Sequence, residues 1–160
     1  MRTLSICLAG CLATATVWAS VDSPVDVGAQ AKGANKVVVA TVTDVQSAFG
    51  ENDFGDRLIL SQVTFRVDET MKGPQAGSVV VTVEGGSVGD LTLEVSDMPT
   101  MEKGQRAVLF LTSSRSGGDV PYRRGAGVLR LDGDDRVPGT DLTLEEIRAA
   151  VKAAQAGGNK

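Results

Sequence analysis

The chain predicts a mostly β domain: a small antiparallel barrel of six or seven strands with one C-terminal amphipathic helix packed against it. Three observations predict this. β-Branched runs with period-two alternation recur between residues 36 and 131. Glycine, proline and aspartate turn signals separate them at short intervals, and the helical periodicity comes last. A two-sheet β-sandwich fits the same pattern and is the alternative. At 160 residues the chain has room for one domain with a real core.

Residues 1–19 read as an export signal. Arg2 supplies a positive start, the run from Leu4 to Val17 is apolar and uncharged, and Val17-Trp18-Ala19 places small residues for cleavage after Ala19. Leu8-Ala9-Gly10-Cys11 resembles a bacterial lipobox, so lipidation at Cys11, with anchoring to the envelope, is the alternative to a secreted or periplasmic product. The apolar run is shorter than the roughly 20 residues that span a bilayer, and no transmembrane segment is expected once the signal is removed. Residues 20–35 are small or polar without periodicity and read as a flexible spacer. The domain then occupies residues 36–156.

Lys36 to Val45 is a β-branched run and forms the first strand. A polar loop over residues 47–56 follows. From Ile59 onward Val63, Phe65 and Val67 share one face while Gln62, Thr64, Arg66 and Asp68 share the other, the pattern of a strand wet on one side. Met71-Lys72-Gly73-Pro74 breaks it. Val79 to Val83 is a third strand, ended by Gly85-Gly86, and the alternating Leu91 to Val95 is a fourth. Arg106 to Leu111 is apolar on both faces, as befits a central strand. Val120 to Arg124 and Gly127 to Leu131 read as two short strands, Asp132-Gly133 as a hairpin turn, and the sheet ends near Val137. The helix spans residues 142–156. Thr143 and Glu146 form a capping box, Leu144, Ile147, Val151 and Ala154 recur at helical spacing, and Gly157-Gly158 stops it.

Composition excludes much chemistry. Both cysteines, Cys7 and Cys11, and the one tryptophan, Trp18, lie in the predicted leader, and the chain has no histidine. The exported domain therefore has no disulfide, thiolate or imidazole base, and zinc's usual ligands are missing. Packing alone must hold the fold. The formal net charge is −4 at pH 7, and no basic stripe marks a nucleic-acid or anionic-membrane partner. No cofactor motif is present.

The run Val63-Thr64-Phe65-Arg66-Val67 followed by Met71-Lys72-Gly73 resembles the "strand, then leucine-lysine-glycine" step of secreted bacterial proteins with a netrin-like or tissue-inhibitor-of-metalloprotease-like barrel. The stretch from Met98-Pro99 through Lys103-Gly104 to Leu109-Phe110-Leu111 is similar to their later proline, glycine and Leu-Phe-Leu segment. The resemblance covers about Lys36 to Leu131 and implies an oligonucleotide/oligosaccharide-binding (OB-like) barrel, not an activity. The group's eukaryotic inhibitors meet a protease's zinc with an N-terminal cysteine. This chain departs from them there, with Ser20 as its expected mature N-terminus and no cysteine downstream.

Several motifs invite chemical readings. Gly85-Gly86-Ser87-Val88-Gly89 matches the nucleophile-elbow spacing, but no base exists to take the serine proton, no Ser-x-x-Lys spacing occurs, and a strand instead of a helix follows. A glycine-rich connection explains it. Asp53-Phe54-Gly55 is read as a loop. Asp132-Gly133-Asp134-Asp135 fails the calcium-loop spacing at Arg136 and Val137 and is read as a turn. Glu84, Asp90, Glu94 and Asp97 fall near one loop region and could supply the paired carboxylates of a sugar hydrolase, but with 20 acidic residues in the chain near neighbours are expected by chance, and solvated surface is the default reading. Tyr122-Arg123-Arg124, beside Gly125-Ala126-Gly127, could grip a carboxylate or stack on a ring, or form a charged edge strand. The wet face carrying Gln62, Thr64 and Arg66 is the other candidate binding surface.

The sequence thus points to an exported, non-enzymatic binding or interaction module whose partner is an exported or envelope protein. The alternatives are a carboxylate-based hydrolase acting on glycans and a protease-inhibitor-like domain inserting its Gly85 to Asp90 loop.

Overall fold

The computed structural model describes residues 25–157. The expected export signal, with its cleavage after Ala19 or, alternatively, lipidation at Cys11, lies outside the described residues. The elements run α1 (Val27–Gly33), β1 (Lys36–Glu51), β2 (Arg57–Lys72), β3 (Ser78–Glu84), β4 (Gly86–Val88), β5 (Leu91–Leu93), β6 (Arg106–Ser113), β7 (Asp119–Pro121), β8 (Val128–Leu131) and α2 (Leu144–Ala156), with a short 3-10 helix at Arg124–Gly127 before β8.

The fold is mostly β with a C-terminal helix. Six strands form one sheet in the order β1-β2-β3-β7-β6-β8, and β1 also pairs with β6, so the sheet curls back on itself. The long β1–β2 hairpin starts the ring. β3 continues antiparallel to β2, and a single parallel bridge, Val81 to Asp119, joins β3 to β7. β6 carries β1 along one edge and both β7 and β8 along the other.

Two cores follow from strand alternation. Val38, Ala40, Val42, Val63, Phe65, Val81, Leu109 and Leu111 fill the inside of the ring. Val37, Val39, Val108 and Phe110 point outward and are covered by Val27 and Ala31 of α1 and by Leu144, Ile147 and Val151 of α2. This is why β6 reads as apolar on both faces and why β1 opens with an unbroken β-branched run. Ala107 to Leu111 are all buried, as expected of a central strand. Thr143 caps α2 through the predicted capping box. Among the described residues no helix is long and apolar enough to cross a membrane.

The structure corrects five boundaries. The spacer read over residues 20–35 contains α1, whose N-cap Asp26 accepts a hydrogen bond from the Ala29 amide at 2.8 Å. So short a helix is unstable alone and forms because Val27, Gln30 and Ala31 bury against the rest of the fold. The loop read over residues 47–56 shrinks to residues 52–56, because β1 and β2 project past the ring as a two-stranded arm in which Phe49 is 59% exposed. A small hairpin, β4 with β5, replaces the longer strand read at Leu91 to Val95. The chain leaves the sheet after Pro121, where a strand through Arg124 was expected, since Arg123 and Arg124 adopt left-handed backbone (φ 58 and 61). Finally, the Asp132-Gly133 turn joins β8 to an isolated bridge between Arg136 and Thr143 in place of a full strand.

Candidate functional site

The ring is weakest at its seam. Past the single Val81–Asp119 bridge, Thr82 to Glu84 have no ladder partner on β7, and Pro121 has no amide hydrogen to offer one. Two loops lie over this opening: residues 52–56 between β1 and β2, and residues 114–118 between β6 and β7. Together with β2 and β3 they wall a crevice of about 280 Å³.

Local hydrogen bonding shapes each wall. The Asn52 side-chain oxygen accepts from the amides of Phe54 (3.0 Å) and Asp56 (2.9 Å), closing the first loop as an Asx turn. Asp53 then clamps the second loop, its carboxylate accepting the Arg115 amide at 3.0 Å while the Arg115 guanidinium donates to the Asp53 carbonyl at 3.1 Å. The Asp-Phe-Gly tripeptide is the loop it was read to be, and the Phe54 ring stands 76% exposed on the crevice wall.

A charge network closes the far wall. The Arg124 guanidinium donates to Glu84 Oε2 at 2.8 Å and to Asp97 Oδ1 at 3.0 Å, with its Nε on the other Asp97 oxygen. Asn52 Nδ2 donates to Glu84 Oε1 at 2.9 Å. The hydrogen bond from Arg124, helped by Asn52, holds the Glu84 carboxyl below its ordinary range. Arg124 does the same to Asp97, and Asp97 and Glu84 in turn push the guanidinium's affinity for its proton up. Gly125 permits the approach, since a Cβ there would lie 1.8 Å from the Asp97 carbonyl oxygen.

Of the sequence-predicted residues, Arg123 and Arg124 line the crevice. Tyr122 does not. It is half-buried in the helix-side core, with its hydroxyl over Gly33, where a Cβ would come within 2.1 Å. On β2, Gln62 is exposed and sits opposite Thr82 of the crevice wall, Thr64 faces Val80, and Arg66 lies further along, turned to Asp68 at 3.1 Å. The four loop carboxylates separate: Glu84 lines the crevice and Asp97 is tied to it through Arg124, whereas Asp90 and Glu94 flank the exposed β4–β5 hairpin. Sequence reading missed Asn52, Phe54 and the second loop. The Asn-x-x-Gly-Asp turn chemistry at Asn52 was a usable signal for the first loop, but nothing in the sequence places it against residues 114–118.

The other motifs have structural roles. The Ser87 hydroxyl shares a hydrogen bond of 2.8 Å with Thr92 across the β4–β5 hairpin, with a strand following it. Asp132 accepts the Asp134 and Arg136 amides at 2.9 Å each, closing its turn. In the crevice, glycoside hydrolysis would need one carboxyl held protonated near neutral pH, and both Glu84 and Asp97 are shifted the other way. Compared with protein-family models and with curated proteins, the chain gives no match.

Proposed function

We propose that this chain is an exported, non-enzymatic binding module that takes its ligand in the crevice over the β3–β7 seam. The observation that carries the reading is the coincidence of that crevice with a particular ring. Counted in chain order as one to five, the ring strands β1, β2, β3, β6 and β7 are arranged 1-2-3-5-4. We take this as an OB-like barrel, a kind that binds through the face of its second and third strands and through its first-to-second and fourth-to-fifth loops. Here those are β2–β3, residues 52–56 and residues 114–118, the walls of the crevice. The Met71-Lys72-Gly73 step and the Leu109-Phe110-Leu111 strand support a netrin-like form of the barrel.

The ion pairs that tie both Glu84 and Asp97 to Arg124 favour binding over hydrolysis. Export rests on the leader, and the expected partner is an exported or envelope protein. The test places a photo-crosslinking amino acid at Phe54, and as a control at the exposed Lys152 of α2, in the producing cells. Capture of a defined species at position 54 alone supports the reading. Cleavage of a glycan panel by purified protein, lost in Glu84→Gln or Asp97→Asn, would replace it with an enzyme.

A further inference from the structure

We infer that a second cavity, on the inner face of the ring, takes a small amphiphilic amine, its apolar body against the core and its protonated amino group at Glu94. This site stands apart from the crevice. Leu60 and Thr82 line the crevice, whereas the alternate β2 residues Ser61 and Val63 line this cavity of about 480 Å³, and the two share only Val83, Glu84 and Met98. Its floor is the inner core itself, at Val63, Val83 and Met101. The β4–β5 hairpin and the segment that follows it form the walls. Its size falls within the roughly 300–1,000 Å³ of small-molecule pockets, which favour the mouths of β-barrels.

Charge decides one end of the ligand. The charged residues lining the cavity are Glu84 and Glu94, with no lysine or arginine among the described residues there. Both Glu84 oxygens are taken, one by Asn52 and the other by Arg124. Glu94 is exposed, and among the described residues it makes no ion pair. An anion would therefore meet only carboxylates, while a cation finds one that is free. Hydrogen-bond direction agrees. A carbonyl only accepts, so the buried Ser61 hydroxyl donates to Gly85 at 2.6 Å. Having spent its one proton there, Ser61 must accept in its 2.8 Å bond with Ser47. Ser47 is then left with an acceptor and no donor, which suits an N–H of the ligand. The rest of the surface is apolar: Val45 and the adaptable, unbranched Met98 and Met101 suit an alkyl or aryl body. No aromatic side chain lines the cavity, so a base would have nothing to stack on.

The test is calorimetric titration of the purified protein, with amide NMR to locate the site, using 2-phenylethylamine, its neutral counterpart 2-phenylethanol and the anion 3-phenylpropionate. The amine is expected to bind about two- to fivefold more tightly than the alcohol, the gain of one ion pair at a wet rim, and the anion most weakly. Shifts should fall on Val45, Ser47, Ser61 and Thr92 to Ser96. Glu94→Gln should level amine and alcohol, and Ser47→Ala should weaken both. Unchanged circular dichroism separates lost binding from lost folding in either variant. Equal affinity for amine and alcohol, or a preference that survives Glu94→Gln, overturns the amine assignment. Tighter binding of Nα-acetyl-lysine amide than of 2-phenylethylamine would overturn the small-molecule source and leave an amine presented by a protein. Shifts at Asn52 to Asp56 and Arg123 instead, or no binding by any probe, overturn the site, while crosslinking at position 54 tests the crevice independently.

Discussion

Replacing Glu84 by glutamine should destabilise the domain in a way that depends on pH. Glu84 is the hinge of the crevice network, taking Asn52 on one oxygen and Arg124 on the other. Its side chain is 19% exposed and that of Arg124 41%. Glutamine keeps the shape but removes the charge and sets an amide N–H against one of two donors. A hydrogen bond to a charged group contributes about 1.5–3 kcal/mol, and the partly wet guanidinium places this one at the low end, about 1.5–2 kcal/mol. For a domain of this size that is about 6–8 °C in Tm. The sign with pH follows from the depressed carboxyl. Its contribution is present above the ordinary value of 4.5 and is lost as pH falls through the lower folded value. The deficit of the variant should therefore be full at pH 7 and shrink toward pH 3. Urea unfolding followed by far-ultraviolet circular dichroism measures it, since the sole tryptophan, Trp18, lies outside the described domain. A deficit equal at pH 7 and pH 3, or absent at pH 7, would refute the reasoning.

Three further outcomes are expected. Ile147→Ala, at a fully buried position of α2, should cost about 2–5 kcal/mol through lost burial and a cavity, read in the same unfolding assay. Gly125→Ala, which would drive a methyl into the Asp97 carbonyl, should cost about 1–3 kcal/mol and weaken whatever the crevice binds. Lys72 donates to the carbonyls of Ala31 and Ala34 at 2.7 and 2.6 Å, at the end of α1. Lys72→Met should therefore speed amide exchange across Val27–Gly33 while leaving α2 protected.

What the sequence revealed was whatever is decided locally or by strand alternation. Thr143 and Glu146 announced the start of α2, and the apolar Arg106 to Leu111 announced a central strand, because each signal reflects contacts the segment makes whatever its partners. The misses depend on tertiary context. α1 is too short to hold itself, so its small, mixed residues looked like a spacer until α2 lay beside it. Residues Ser47 to Glu51 looked like a loop because, past the ring, neither face of the β1 arm is buried. Tyr122-Arg123-Arg124 was legible as a charged aromatic cluster, but the left-handed turn that sends the tyrosine to the helices and the arginines to the crevice was not. Phe54 and Asn52 came into view only when ring closure brought residues 52–56 to residues 114–118, more than sixty positions apart.

The most direct measurement is an amide-resolved NMR titration of the folded domain with a mixed set of short peptides and oligosaccharides. Binding at the crevice predicts that shifts cluster at Asn52 to Asp56, Thr82 to Glu84, Arg115-Ser116 and Arg123. Shifts concentrated instead along the free edge of Val128–Leu131 or on α2, with those residues silent, would contradict it.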